Sequence, residues 1–91
     1  MKVILDTKYS EMELEFLNRH NCEILSEIKL SKTDFSENKT PRRMFKHGNV
    51  YVAEIYDDES TDLVWAVLSK WKGTYHFSSY YEDLEVLENN L

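Results

Sequence analysis

The chain has 91 residues, 42% of them hydrophobic and 13% aromatic, and a formal net charge of −6. That length suits one compact domain and excludes two, and the apolar content excludes a disordered chain. A lone cysteine, Cys22, excludes an internal disulfide and points to a reducing compartment, while having only Gly48 and Gly73 excludes a glycine-rich phosphate loop.

From Lys2 to Leu5 the pattern predicts a short strand, whose apolar run is too brief for a signal-peptide core. Ser10-Glu11-Met12-Glu13 reads as a capping box, with Ser10 as N-cap and Glu13 reaching back, opening a helix over about Glu11–His20. Met12, Phe16 and Leu17 form its expected inner stripe, with Leu14 lying off it; Asn21 suits a left-handed position past its end. Cys22–Ser31 alternates, with Ile24, Ser26, Ile28 and Leu30 on one face, and predicts one half-buried strand.

Residues 32–48 lack periodicity and are expected to form a long basic loop within a single domain spanning 1–91. Asn49–Asp57 predicts a strand with Val50, Val52 and Tyr56 on one face and Tyr51, Ala53 and Ile55 on the other, followed by a polar turn, Asp57–Asp62. Leu63–Trp71 fits either a helix or a doubly buried strand; the strand reading is preferred for its Val and Trp content. Lys72-Gly73 then reads as a tight turn into a strand at Thr74–Ser78, and Ser79-Tyr80-Tyr81-Glu82 as a second capping box opening a helix with Leu84, Leu87 and Leu91 on one face. The order β-α-β-β-β-β-α predicts an α+β fold, an antiparallel sheet of four to five strands with both helices on one face. No apolar run approaches a membrane span, and the expected location is the cytoplasm, the host's if the chain is phage-encoded.

Charge is unevenly placed. Residues 1–31 carry −2, residues 32–48 carry +3, and residues 49–91 set Lys70 and Lys72 against nine carboxylates for −7. The acidic half has two clusters, one of Asp57, Asp58, Glu59 and Asp62, the other of Glu82, Asp83, Glu85 and Glu88. Such a surface repels nucleic acid and attracts basic partners. Carboxylates two apart on a strand repeat at roughly 6.6 Å, close to two nucleotide rises of roughly 3.4 Å each. The competing reading is a solvated surface that only keeps the protein soluble.

In the basic stretch, Arg42 and Arg43 have the chemistry to clamp phosphates, Phe45 to stack on a base and Lys46 to add charge. The alternative is that the stretch folds back onto the acidic body in ordinary ion pairs. His20, His47 and His76 have no partners at ligand spacing, and Asp57–Asp62 lacks the glycine and terminal Glu of a calcium loop, so neither metal nor cofactor is implied. Cys22 sits beside Glu23, unlike an activated thiol, and a nuclease using His47 or His76 would repel its own substrate.

Two local resemblances add to this. Tyr56-Asp57-Asp58-Glu59-Ser60-Thr61-Asp62 resembles an acidic turn of the phage uracil-DNA glycosylase inhibitors with one Asp inserted; it covers seven residues, and Cys22-Glu23-Ile24 lacks the serine of that family's inhibitory strand. Gly48-Asn49-Val50-Tyr51-Val52 with the acidic turn and Tyr80-Tyr81-Glu82-Asp83 resembles small acidic anti-CRISPR proteins in composition. The resemblances assign the chain to neither family. They imply a class: short acidic phage or mobile-element proteins that occupy the nucleic-acid-binding surface of a host enzyme. The expectation is a non-enzymatic, DNA-mimic type of interaction module binding a basic protein surface through Asp57, Asp58, Glu59, Asp62, Glu82, Asp83 and Glu85. The alternatives are a nucleic-acid-binding regulator using residues 39–47, or an immunity or antitoxin-like protein.

Overall fold

The computed structural model describes residues 2–30, 40–56 and 62–91. In chain order the elements are β1 (Lys2–Ile4), α1 (Glu11–Arg19), β2 (Glu23–Leu25), β3 (Glu27–Lys29), β4 (Arg43–His47), β5 (Val50–Tyr56), β6 (Leu63–Trp71), β7 (Thr74–Tyr81) and α2 (Leu84–Glu88). The fold is α+β, as the patterning predicts. Five antiparallel strands lie in the order β2-β4-β5-β6-β7, and β1 pairs with β3 in a separate two-stranded sheet.

Period-two alternation gives the large sheet two apolar faces. On one, Phe45, Val52 and Trp65 pack against Phe16 and Leu17 of α1 and Leu87 of α2, so both helices cover the same face. On the other, Met44, Ala53, Ile55, Ala66 and Leu68 pack against Val3, Leu5, Ile28 and Leu30 from the two-stranded sheet and the segments flanking it. The run Leu63–Trp71 is therefore a central strand covered on both sides, and its unbroken apolar character follows from that position.

Local chemistry fixes the ends of the elements. The Ser10 hydroxyl accepts from the Glu13 amide at 3.2 Å, and the Glu13 carboxylate accepts from the Ser10 amide at 2.8 Å, the reciprocal box read from the sequence. Asn21 takes φ 53, the Cys22 amide reaches back to the Leu17 carbonyl at 2.8 Å and the Asn21 amide to Asn18 at 3.3 Å, closing α1 in a Schellman motif. Lys72 (φ 50) and Gly73 (φ 80) form the two-residue hairpin joining β6 to β7, with the paired left-handed angles that match strand twist.

Five expectations are corrected. The loop predicted over 32–48 contains β4; residues 31–39 lie outside the described residues. Met44 and Phe45 are adjacent and buried on opposite faces, so the strand shows no alternation. The single strand predicted over Cys22–Ser31 divides at Ser26. Ile24 faces the helices whereas Ile28 and Leu30 face the other way, so β2 joins the large sheet and β3 the small one. The second capping box does not form. Ser79, Tyr80 and Tyr81 continue β7 opposite Val67, Ala66 and Trp65, with Ser78 the extra residue in a bulge, and Asp83 caps α2 through the Val86 amide at 2.9 Å. Leu91, placed on that helix's inner face, is exposed beyond its end. Finally, Met12 is 81% exposed rather than on the inner face of α1, which consists of Glu13, Phe16, Leu17 and His20.

Candidate functional site

One end of the large sheet brings Asp62 close to Glu82 and Asp83. Arg43, Glu54, Trp65 and Tyr81 form a row across β4, β5, β6 and β7, and the next pair out on β5 and β6 is Ile55 with Val64, then Tyr56 with Leu63. Asp62 therefore leads into the sheet at the end from which Glu82 and Asp83 leave it. The two acidic clusters are separated by about 20 residues in sequence, and antiparallel pairing brings their described members to a common edge. Asp57, Asp58 and Glu59 lie outside the described residues; Asp62, Glu82, Asp83 and Glu85 are exposed.

Beside this end, α1 and α2 leave a groove of about 670 Å³ between them. Phe16 and Trp65, each about 5% exposed or less, form its floor, with Leu84 on one wall and the projecting Met12 on the other. Glu13, Asp83, Glu85 and Glu88 supply an acidic rim, against which Arg19 is the one cation. Apolar floor and acidic rim together suit a segment with an apolar anchor flanked by lysine or arginine.

Below the groove the rim is braced by a buried ionic network. Arg43 donates from Nε and Nη2 to both Glu54 oxygens at 2.8 and 2.7 Å, and from Nη1 and Nη2 to both Glu13 oxygens at 3.0 and 2.9 Å. Nη1 also donates to the Lys8 carbonyl at 3.0 Å, so all five guanidinium N–H groups are engaged. The guanidinium lies between the rings of Tyr9 and Trp65, 4.6 and 5.3 Å from their centroids. Hydrogen bonding to Glu54, then to Glu13, raises the Arg43 pKa against the opposing effect of burial. Burial alone would raise Glu13; hydrogen bonds from Arg43 and Ser10 outweigh it and hold that carboxyl below its ordinary value of 4.5. Burial, only partly offset by Arg43, pushes the Tyr9 phenol up to about 12.

A second clamp ties the far ends of the helices together. Glu88 accepts from Arg19 Nε and Nη2 at 3.1 and 2.6 Å and from His20 Nε2 at 2.8 Å. The hydrogen bonds from Arg19, then His20, hold Glu88 below the usual carboxylate range. An ionised carboxylate has no proton to give, so His20 carries its own on Nε2.

The basic stretch is dispersed by the strand it forms. Arg43 is consumed by carboxylates, and Phe45, wholly buried, has no face open to a base. Arg42 is exposed, while Lys46 points to the opposite face with its Nζ 5.5 Å from the Tyr51 ring. His47 and His76 lie at the sheet end away from the acidic edge, 47 beside the ring of His20 at 6.0 Å and 76 beside Trp71 at 6.0 Å. Burial raises the Cys22 thiol, the reverse of activation. Among the described residues no three of His, Cys, Asp and Glu gather into a metal-holding group, and no helix is long and apolar enough to cross a membrane.

Sequence reasoning missed the network and the groove floor. Glu54 interrupts the apolar face of β5, and a lone carboxylate at such a position needs a cation; that was the available signal for Arg43. Trp65 had none, because both faces of its strand are covered. Comparison of the chain with protein-family models, curated proteins and solved structures finds no match.

Proposed function

We propose that this chain is a small, non-enzymatic interaction module that binds a basic surface of a partner protein through its acidic end. The partner class that fits best is a nucleic-acid-processing enzyme of the host, whose phosphate-binding surface the module occupies as an inhibitor from a phage or mobile element. The supporting observation is topological: antiparallel pairing gathers Asp62, Glu82 and Asp83 at one edge, next to a groove rimmed by Glu13, Asp83 and Glu85. Asp83 and Glu85 have no cation within ion-pair reach among the described residues, so their charge is available to a partner, whereas Arg43 is not available to phosphate.

The experiment is capture from a nuclease-treated host lysate with salt elution, followed by measurement of the captured partner's affinity. The variant Asp62→Asn, Glu82→Gln, Asp83→Asn, Glu85→Gln removes charge while keeping a side chain able to cap α2. Loss of roughly tenfold or more in affinity, with a flatter salt dependence, supports the proposal. Unchanged binding by this variant refutes it, and recovery from an untreated lysate of nucleic acid alone, lost on nuclease treatment, transfers the function to Arg42 and Lys46.

A further inference from the structure

The end of the sheet opposite the acidic edge carries a feature that the partner-binding reading leaves unused. At the tip of the β6–β7 hairpin, Trp71 is 62% exposed, the largest side chain in such a position among the described residues. Lys72 places its Nζ 4.6 Å from the Trp71 ring centroid, whereas Lys70, the residue before Trp71, projects from the opposite face of β6 with its Nζ 5.2 Å from the ring of Tyr75. These two lysines are the only cations in residues 49–91. Lys72 also adopts φ 50, a left-handed angle that asparagine or glycine accepts at lower cost. The hairpin thus presents an apolar anchor with one cation, Lys72, against its ring, on a two-residue turn.

That is the complement of the groove between α1 and α2, which has an apolar floor at Phe16 and Trp65 and carboxylates at Asp83 and Glu85. We infer that the hairpin tip of one copy docks in the inter-helix groove of a second copy, Trp71 entering between Met12 and Leu84 and Lys72 meeting the acidic rim. A groove of about 670 Å³ has room for an indole. The contact cannot form within one chain: Trp65 and Trp71 are six residues apart on one extended strand, about 20 Å. Because plug and socket are different surfaces at opposite ends, the contact is heterologous, and copies add head to tail. The inference rests on the groove being a docking site, and it makes the hairpin the occupant that a basic partner displaces.

Two variants separate the surfaces. Trp71→Thr with Lys72→Asn removes the plug and leaves an Asn-Gly turn, which suits the backbone better than Lys-Gly. Met12→Lys with Glu85→Lys spoils the socket at two exposed positions. Sedimentation velocity at about 0.15 M salt, where the Debye length of about 8 Å screens the overall like charge more than contacting pairs, reads the outcome. The wild-type chain is expected to gain mass with concentration beyond a dimer. Each variant alone stays monomeric, and their equimolar mixture forms a dimer and nothing larger, since it has one intact plug and one intact socket. A monomeric wild type at millimolar concentration, or a mixture that fails to pair, overturns the inference. If the mixture fails while a captured basic partner still needs Asp83 and Glu85, the proposed function stands and only self-docking falls. If the mixture pairs while the partner ignores those charges, the reverse holds.

Discussion

The two faces of the central sheet are covered by different means, and the contrast explains where the candidate site lies. On one side the two-stranded sheet lays Val3, Leu5, Ile28 and Leu30 over Met44, Ile55, Ala66 and Leu68, and every buried member of that cluster is uncharged. On the other, two short helices stand on Phe45, Val52 and Trp65. Their rounded surfaces leave a groove, and their edges admit the one buried charged residue among the described residues, Glu54. The strand-covered side provides stability through packing. The helix-covered side combines packing with fixed charge and a groove over an apolar floor.

Adjacent residues on β4 allow the sharpest test of this contrast, because Arg43 and Met44 point to opposite faces. Arg43→Ala leaves Glu54, 5% exposed, without its cation and is expected to cost about 3–5 kcal/mol in urea unfolding. Replacing Arg43 with Met and Glu54 with Leu together is expected to recover most of that loss; a double variant as weak as the single one would mean that the charge is not the cause. Met44→Ala, on the uncharged side, loses about 2–5 kcal/mol by cavity formation alone and has no such rescue.

Next in size is Leu87→Ala. A helix of five residues cannot hold itself together, and Leu87, with no exposed surface, is its anchor. The expected cost is about 2–4 kcal/mol, with a change in Trp65 fluorescence as the groove wall loosens. An unchanged spectrum would show that α2 does not shape the groove.

The smallest effect is that of pH. The folded-state pKa of Glu13 is depressed, so its contribution is fully present above its ordinary value of 4.5 and is lost as pH falls through the lower folded value. Glu88 behaves in the same direction. Unfolding midpoints for the wild type and Glu13→Gln should therefore converge as pH drops from 6 towards about 3, the difference at pH 6 being at most about 1 kcal/mol because Glu13 is only half-buried. A constant gap would remove Arg43 pairing from the account.

What could be read from the sequence follows the same divide. Elements whose signals are local were legible: the Ser10–Glu13 box, Asn21 at the helix end, the Lys72-Gly73 turn and the alternation of β5. Elements defined by what lies above and below them were not. β4 is masked because Met44 and Phe45 serve different faces and its flanking charges find partners far away in sequence. The Cys22–Ser31 run looks continuous because Ile24 and Ile28 share a period, although they serve different layers. For the candidate site, the sequence indicates the carboxylates but neither their convergence nor the groove, which depends on register and on the spacing of two helices.

The division at Ser26 has a consequence for how the molecule assembles. β5, β6 and β7 follow one another as antiparallel neighbours in the chain, with Lys72-Gly73 closing the second hairpin, so their pairing is local in sequence. β1 and β3 must meet across the whole of α1, Val3 opposite Ile28, while β2 reaches β4 across residues 26–42. Because β2 and β3 are consecutive stretches of one segment, docking the first delivers the second to the other layer. The N-terminal third thus belongs to both layers, and the short link at Ser26 ties the hold of β2 on the large sheet to that of β3 on the small one.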